Sequence, residues 1–133
     1  MKNFFYFFLL LLFISCRSTQ HDTACKDFFK DGTYFYDNTN LEKKSEAMIV
    51  MKNDIHIEYV NADKKEYVTS QLKWTNDCEF ILTVIDSKVA NFDLKKGEQM
   101  IVKILSIHEN KMNYESVFRG FKLVRTIQKK IEE

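Results

Sequence analysis

Three histidines and three cysteines are the side chains of this sequence with the greatest capacity for chemistry. His21, His56 and His108 have no His or Cys neighbour at the spacing that metal sites use, so we predict no metal ligand among them. We expect His56 and His108 to be surface or edge residues. Three scattered glycines cannot build a phosphate-binding loop, and no Gly-x-Ser-x-Gly nucleophile motif occurs. We therefore predict a protein that is not an enzyme and that holds no metal or cofactor.

The first cysteine follows a segment that is typical of a secretory signal. Lys2 precedes 11 residues, 4–14, with no polar side chain except the Tyr6 hydroxyl. A bilayer-spanning helix needs about 20 apolar residues, so the shorter run predicts a signal peptide. Residues 13–16 (Phe-Ile-Ser-Cys) resemble the bacterial lipobox, whose cysteine receives a diacylglycerol on sulfur before its new amine is acylated. The resemblance implies a lipoprotein with a signal peptide over residues 1–15 and lipid, palmitate included, on Cys16.

An uncleaved signal anchor, or a secreted protein with a free Cys16 thiol, is the alternative. The polar residues that follow predict a tether over residues 16–24 between the lipid and a domain over residues 25–131. The residue directly after Cys16 is Arg17, and not the Asp that would resemble an inner-membrane retention signal. We therefore expect a protein bound to the bacterial outer membrane through Cys16, on the face toward the periplasm.

Composition limits the size and the partners of the domain. Removing 15 residues from 133 leaves 118, enough for one domain. The whole chain has 20 basic and 19 acidic residues, and loss of Lys2 makes these numbers equal. A nucleic-acid-binding protein carries a basic face, so we predict no nucleic-acid partner.

Lipidation of Cys16 leaves Cys25 and Cys78, an even number of thiols in an oxidising compartment. A disulfide between them closes a loop whose chain-entropy contribution is roughly 4 kcal/mol. Two unpaired thiols remain the alternative.

The chain after Gly32 alternates between apolar and polar residues with the period of β-strands. Apolar and β-branched runs separated by Asn, Asp or Lys predict eight strands, over residues 33–37, 47–51, 55–59, 67–74, 79–85, 99–107, 112–118 and 121–128. The nearly continuous apolar runs at 79–85 and 99–107 predict strands covered on both faces. Residues 89–96 are ambiguous between a short helix and a loop.

Short connections predict an all-β antiparallel meander. A flat eight-stranded sheet exposes two edges, so we predict a barrel or a half-barrel, like that of lipocalins. Residues 22–30 predict one helical turn, with Phe28 and Phe29 capping an end of the barrel. The aromatic residues either fill the core or line a cavity for an apolar ligand; the candidates for lining it are Tyr34, Tyr36, Tyr59, Trp74 and Tyr114.

Two elements, Cys25 with Phe-x-x-Gly-x-[Tyr/Phe] after it and Trp74-x-x-Asp-Cys78-Glu, resemble a group of small envelope lipoproteins of Bacteroidetes. The resemblance covers most of the chain after Cys16. It implies the Cys25–Cys78 pairing and the fold type, and it implies no mechanism, because those proteins have no assigned activity.

We therefore expect a non-enzymatic, lipid-anchored protein that acts as a binding or envelope-maintenance module for an unknown protein or small ligand. The alternatives are an inhibitor of a cell-wall hydrolase such as lysozyme, with loop 89–97 entering the enzyme cleft, and a carrier of a lipid or other small apolar molecule.

Overall fold

Eight antiparallel strands and one short helix make up the described part of the chain. A computed structural model describes residues 24–37 and 46–132. The elements in chain order are α1 (Cys25–Phe28), β1 (Gly32–Tyr36), β2 (Met48–Lys52), β3 (Ile55–Tyr59), β4 (Tyr67–Asn76), β5 (Glu79–Lys88), β6 (Gln99–His108), β7 (Lys111–Phe118) and β8 (Phe121–Lys129). All eight predicted strands are confirmed, with bounds that differ by at most three residues at either end.

The strands form a closed barrel in which each strand pairs with its neighbours in the sequence. Antiparallel pairing of β1 with β8, with Tyr34 opposite Lys129 and Tyr36 opposite Ile127, closes the sheet. The all-β prediction is thus confirmed, and of the two shapes it allowed the structure is the closed barrel. Closure leaves no pair of long free edges of the kind that promotes aggregation.

Tight hairpins connect several of the strands, although the sequence has no proline and only three glycines. Asn53 and Asp54 connect β2 to β3 with positive φ angles of 51° and 60°. Arg119 and Gly120 connect β7 to β8 in the same way, with φ angles of 50° and 78°. Two-residue hairpin loops with positive φ at both positions match the twist of the flanking strands. Asn, Asp and Gly accept this conformation most readily, which explains their presence at these turns.

One end of the barrel is closed by α1 and an aromatic core. Phe28 and Phe29 are buried against Tyr34, and the Phe29 ring stacks on that of Phe80 at 5.1 Å between centroids. The Tyr34 hydroxyl reaches the backbone carbonyl oxygens of Phe28 and Lys30 at 2.8 and 2.7 Å. The prediction that Phe28 and Phe29 cap the barrel is confirmed. We call this the closed end.

A disulfide between Cys25 and Cys78 joins α1 to the β4–β5 turn at the closed end. The predicted pairing is confirmed, and the two unpaired thiols are excluded. A helix of four residues is too short to be stable alone, so the covalent link and the burial of Phe28 hold it in place.

The prediction that β5 and β6 are covered on both faces is wrong. Inward residues such as Phe80, Leu82 and Val102 are buried, whereas the outward Ile101 is 46% exposed. A single-layered barrel buries only its inner face, so the outward apolar residues of β5 and β6 lie on the surface. Residues 89–96 form turns and irregular structure, which settles their ambiguity in favour of a loop.

Candidate functional site

A cavity of about 500 Å³ occupies the half of the barrel opposite the closed end. Its wall is mainly apolar, and includes Val60, Leu82, Val84, Phe92, Met100, Phe118, Phe121 and Leu123. The volume lies within the range of about 300–1,000 Å³ that is usual for small-molecule sites. We call its opening, between the β7–β8 hairpin and the loop after β5, the mouth.

The floor of the cavity is polar. Tyr36, His56, Glu58 and Tyr114 line both the cavity and a recess of about 20 Å³ that also touches core residues such as Phe29. The Tyr36 hydroxyl donates a hydrogen bond of 2.6 Å to Oε1 of Glu58. These polar groups therefore lie between the aromatic core and the apolar upper wall.

Both floor tyrosines keep their hydroxyl protons at neutral pH. Burial raises the pKa of Tyr36 well above its usual value, and the neighbouring Glu58 carboxylate raises it further. Burial is also the main reason that the pKa of Tyr114 is raised to about 12. The two phenols consequently act as neutral hydrogen-bonding groups.

His56 is 95% buried, since only 5% of its surface is exposed. Burial lowers its pKa, because the charged imidazolium loses its hydration, although the Glu58 carboxylate opposes this shift. Nδ1 of His56 has no hydrogen-bond partner among the residues that the structure describes. Our prediction of a surface or edge position is wrong for this residue, whereas His108 is exposed as expected.

Two arginines line the cavity, and they differ in their partners. Arg119 binds Glu98 through two hydrogen bonds of 2.8 Å, and also donates one of 2.6 Å to the carbonyl oxygen of Asp93. Its guanidinium also lies 4.9 Å from the centroid of the Phe118 ring. Arg119 thus ties the loop after β5 to the β7–β8 hairpin and fixes two sides of the mouth.

The guanidinium of Arg125 lies 5.1 Å from the centroid of the Tyr36 ring. Within residues 24–37 and 46–132, it donates no hydrogen bond and pairs with no carboxylate. Its charge lowers the pKa of Tyr114, its partner across the β7–β8 pair, although burial has the larger and opposite effect.

A second depression, of about 690 Å³, lies outside the barrel between the β3–β4 and β5–β6 loops. Charged side chains such as Asp63, Lys65 and Glu66 line it together with apolar residues of the second loop. It is a solvent-open groove between surface loops. The interior cavity is the better candidate site, because it is more enclosed and its polar groups converge.

The five aromatic residues that we expected around a cavity lie in three places. Tyr36 and Tyr114 line it. Tyr34 lies in the core of the closed end, fully buried, and Trp74 packs on Phe80 near the same end. Tyr59 lies outside the cavity wall, with the Lys64 ammonium 5.3 Å from its ring centroid. Cys16, the predicted lipid site, is outside the described residues.

Sequence reasoning missed His56, Glu58 and Arg125 as lining residues. On β3 the alternation separates Ile55 and Ile57 from His56 and Glu58, and the apolar pair is the one that faces outward. A polar pair on one face of a barrel strand is compatible with either side of the wall, so the pattern alone does not assign it.

The described residues contain no cluster of three or more metal-ligating side chains. No helix in the same part of the chain has the length and apolar character to cross a bilayer. Comparisons with protein-family models, with curated proteins and with solved structures gave no match.

Proposed function

We propose that this protein is a non-enzymatic, lipid-anchored envelope protein of the small Bacteroidetes group described above, and that its barrel binds one small apolar or amphiphilic molecule. The cavity of about 500 Å³ carries the proposal. Eight strands enclose an interior that is either filled by side chains or holds one small ligand. Here the closed end is filled and the other half is a cavity.

The arrangement of the loop after β5 favours ligand binding over inhibition of a cell-wall hydrolase. An inhibitory loop must project into an enzyme cleft. Val89, Phe92 and Leu94 instead contribute to the cavity wall, and Arg119 holds the loop against the β7–β8 hairpin. We therefore rank the carrier function above inhibition.

The binding function can be tested with 1-octanol, a neutral probe with a single short chain. Full-length protein in phospholipid nanodiscs is titrated by calorimetry, with empty nanodiscs as the blank. We expect binding by the wild type and its loss in Val84→Trp, because Val84 is an inward residue of the cavity wall. The matched control is Ile85→Trp, since Ile85 is the next residue of β5 and is 38% exposed on the surface. Equal binding by both variants would contradict the proposal.

Lipid anchoring through Cys16 has a separate test. We expect Cys16→Ala to move the protein from the membrane fraction to a soluble fraction or to leave an uncleaved precursor. Acyl-chain labelling with a palmitate analogue should be lost in the same variant. Cys25 and Cys78 form the disulfide and do not accept a lipid on sulfur. Labelling that persists in Cys16→Ala would contradict the assignment.

A further inference from the structure

Two opposite charges face the cavity without neutralising each other. Glu58 and Arg125 both line it, and no ion pair joins them or links either to another residue of the described chain. Arg119, the third charged residue of the lining, is bound to Glu98. Resting on the proposed binding function, we infer that the ligand is a single-chain amphiphile with a zwitterionic head, whose acidic group contacts Arg125 and whose ammonium group contacts Glu58.

Strand register orders the wall from polar at the floor to apolar at the mouth. Along β7 and β8 the paired residues are first Tyr114 and Arg125, and the next inward pair is Ser116 and Leu123. The last pair before the turn is two phenylalanines, 118 and 121. An amphiphile therefore matches this wall only with its head at the floor and its apolar chain toward the mouth.

The opposite wall follows the same order. On β3 and β4, His56 pairs with Ser70, and Glu58 pairs with Val68 one step closer to the mouth. Val60, the next inward residue, is apolar and 38% exposed. The polar groups of the two walls meet at Tyr36, whose hydroxyl contacts Glu58 at 2.6 Å and whose ring lies 5.1 Å from the Arg125 guanidinium, and this residue defines the level of the ligand head.

Tyr36 lies between the two charges and leaves each of them able to bind a ligand. Its hydroxyl donates a hydrogen bond to Oε1 of Glu58, and Oε2 of Glu58 accepts no hydrogen bond from the described residues. The Arg125 guanidinium lies over the Tyr36 ring, which stabilises the cation without using its N–H donors. Oε2 of Glu58 and the N–H donors of Arg125 are therefore available to a ligand beside the Tyr36 ring.

Charge balance selects a zwitterion over a singly charged head. Glu58 is half-buried and Arg125 is exposed before a ligand binds. A bound apolar chain that excludes water from the cavity removes hydration from the parts of both charges that face it, which is costly unless each gains a partner. An anionic head compensates only Arg125, and a cationic head only Glu58. An apolar α-amino acid, or a single-chain phospholipid with a primary ammonium group, compensates both, and the cavity volume suits one chain.

Four eight-carbon probes separate these alternatives in the calorimetric assay above: 2-aminooctanoate, octanoate, protonated octylamine and 1-octanol. We expect 2-aminooctanoate to bind about tenfold or more tightly than each of the others, because it alone gains a charge-assisted hydrogen bond at both Glu58 and Arg125. Glu58→Gln should reduce its affinity to that of octanoate. Arg125→Gln should reduce it to that of octylamine.

Lys103→Gln and Glu115→Gln are the matched controls, because these charges pair in register on β6 and β7 and lie outside the cavity lining. They should leave all four affinities unchanged. If all four probes bind equally and the floor variants have no effect, the head-group inference is overturned while the binding function stands. If no probe binds, the proposed function itself fails. Mass spectrometry of the ligand that copurifies with the protein from cells distinguishes an amino acid from a lysophospholipid. A copurified ligand with a singly charged head would overturn the inference.

Discussion

The Tyr34 hydroxyl is a polar group enclosed within the closed end of the barrel. None of the side-chain surface is exposed, and the hydroxyl lies within hydrogen-bonding distance of two carbonyl oxygens that follow α1 or end it. Burial raises its pKa to about 12, which outweighs the opposite effect of the hydrogen bond to Lys30. This single side chain therefore connects β1 with the segment that closes the barrel.

Alkaline titration tests the state of the buried tyrosines. A folded pKa of about 12, above the usual 10.0, means that the stabilisation is complete below about pH 10 and is lost as the pH rises toward 12. We expect the free energy of unfolding to fall in that interval, measured with urea at several pH values. Tyr34→Phe should reduce both this dependence and the stability at neutral pH, the latter by about 1–3 kcal/mol. An unchanged alkaline profile in Tyr34→Phe would contradict this account.

His56 predicts a second pH dependence, at the acidic side. Its pKa is lowered in the folded state by burial, so the folded protein resists protonation that the unfolded chain accepts near its usual value of 6.5. Stability is then complete above about pH 6.5 and decreases as the pH falls through the folded pKa. We expect the thermal midpoint of the wild type to fall as the pH drops below about 6.5, and to fall less steeply in His56→Leu. Parallel curves for the two proteins would rule out His56 as the source.

The side chains of the site were less predictable than those of the core. Tyr36 and Tyr114 were two of five candidates for lining a cavity, because aromatic residues on strands face either a core or a ligand. His56, Glu58 and Arg125 were not predicted, because polar residues on a strand ordinarily face solvent. Which face of β3 points inward depends on how the sheet closes into a barrel, so the sequence of β3 alone does not determine it.

At the scale of elements, β8 changes its surroundings along its length. Its first five residues are exposed, whereas Ile127, near the other end, is 1% exposed and lies opposite Tyr36 of β1 and Met112 of β7. The half of β8 near the closed end therefore belongs to the core, and the other half borders the cavity and the mouth.

Two substitutions on β8 test this division. Ile127→Ala should destabilise the protein by about 2–5 kcal/mol, since it removes buried methyl groups and leaves a void. Val124→Ala should change the stability much less, because Val124 is 58% exposed on the outer face. Urea unfolding followed by circular dichroism measures both. Similar losses for the two variants would mean that the core extends along the whole strand.

Element positions were predictable because hydrophobic period and turn residues are local signals. Asn53 and Asp54, for example, separate two predicted strands, and the structure has a turn at these residues. The exposure of Ile101 was not predictable from the same pattern, because an apolar run does not distinguish a strand between two layers from one with an apolar outer face. That difference depends on what packs outside the sheet, which is a property of the whole fold.

At the scale of the whole molecule, the Cys25–Cys78 disulfide has a sequence separation of 53 and links the segment before β1 to the β4–β5 turn at the closed end. The even number of thiols left after Cys16 favoured this pairing and left two unpaired thiols as the alternative. Closure between β1 and β8 was favoured in the same way, from the cost of exposed sheet edges, with a half-barrel as the alternative. The disulfide also constrains the unfolded chain, so its effect should appear in the stability of the entire domain.

Replacing both cysteines by serine should lower the free energy of unfolding by roughly 4 kcal/mol, the chain-entropy value for a loop of this length. The measurement is urea unfolding of the double variant against the wild type without reductant. Adding reductant to the wild type should reproduce the loss, and should not affect the double variant. A double variant as stable as the oxidised wild type would show that non-covalent packing of α1 is sufficient.

The position of α1 also gives the molecule a direction. Cys25 lies at the closed end, so the described chain begins at the opposite end from the mouth. If Cys16 carries the proposed lipid, the eight peptide steps from it to Ala24 reach at most about 28 Å. Because this short tether would join the lipid to the closed end, the base of the barrel would lie near the bilayer and the mouth would be the part of the molecule furthest along the chain's fold from the lipid. A ligand would then be exchanged with the aqueous compartment more readily than with the lipids beneath.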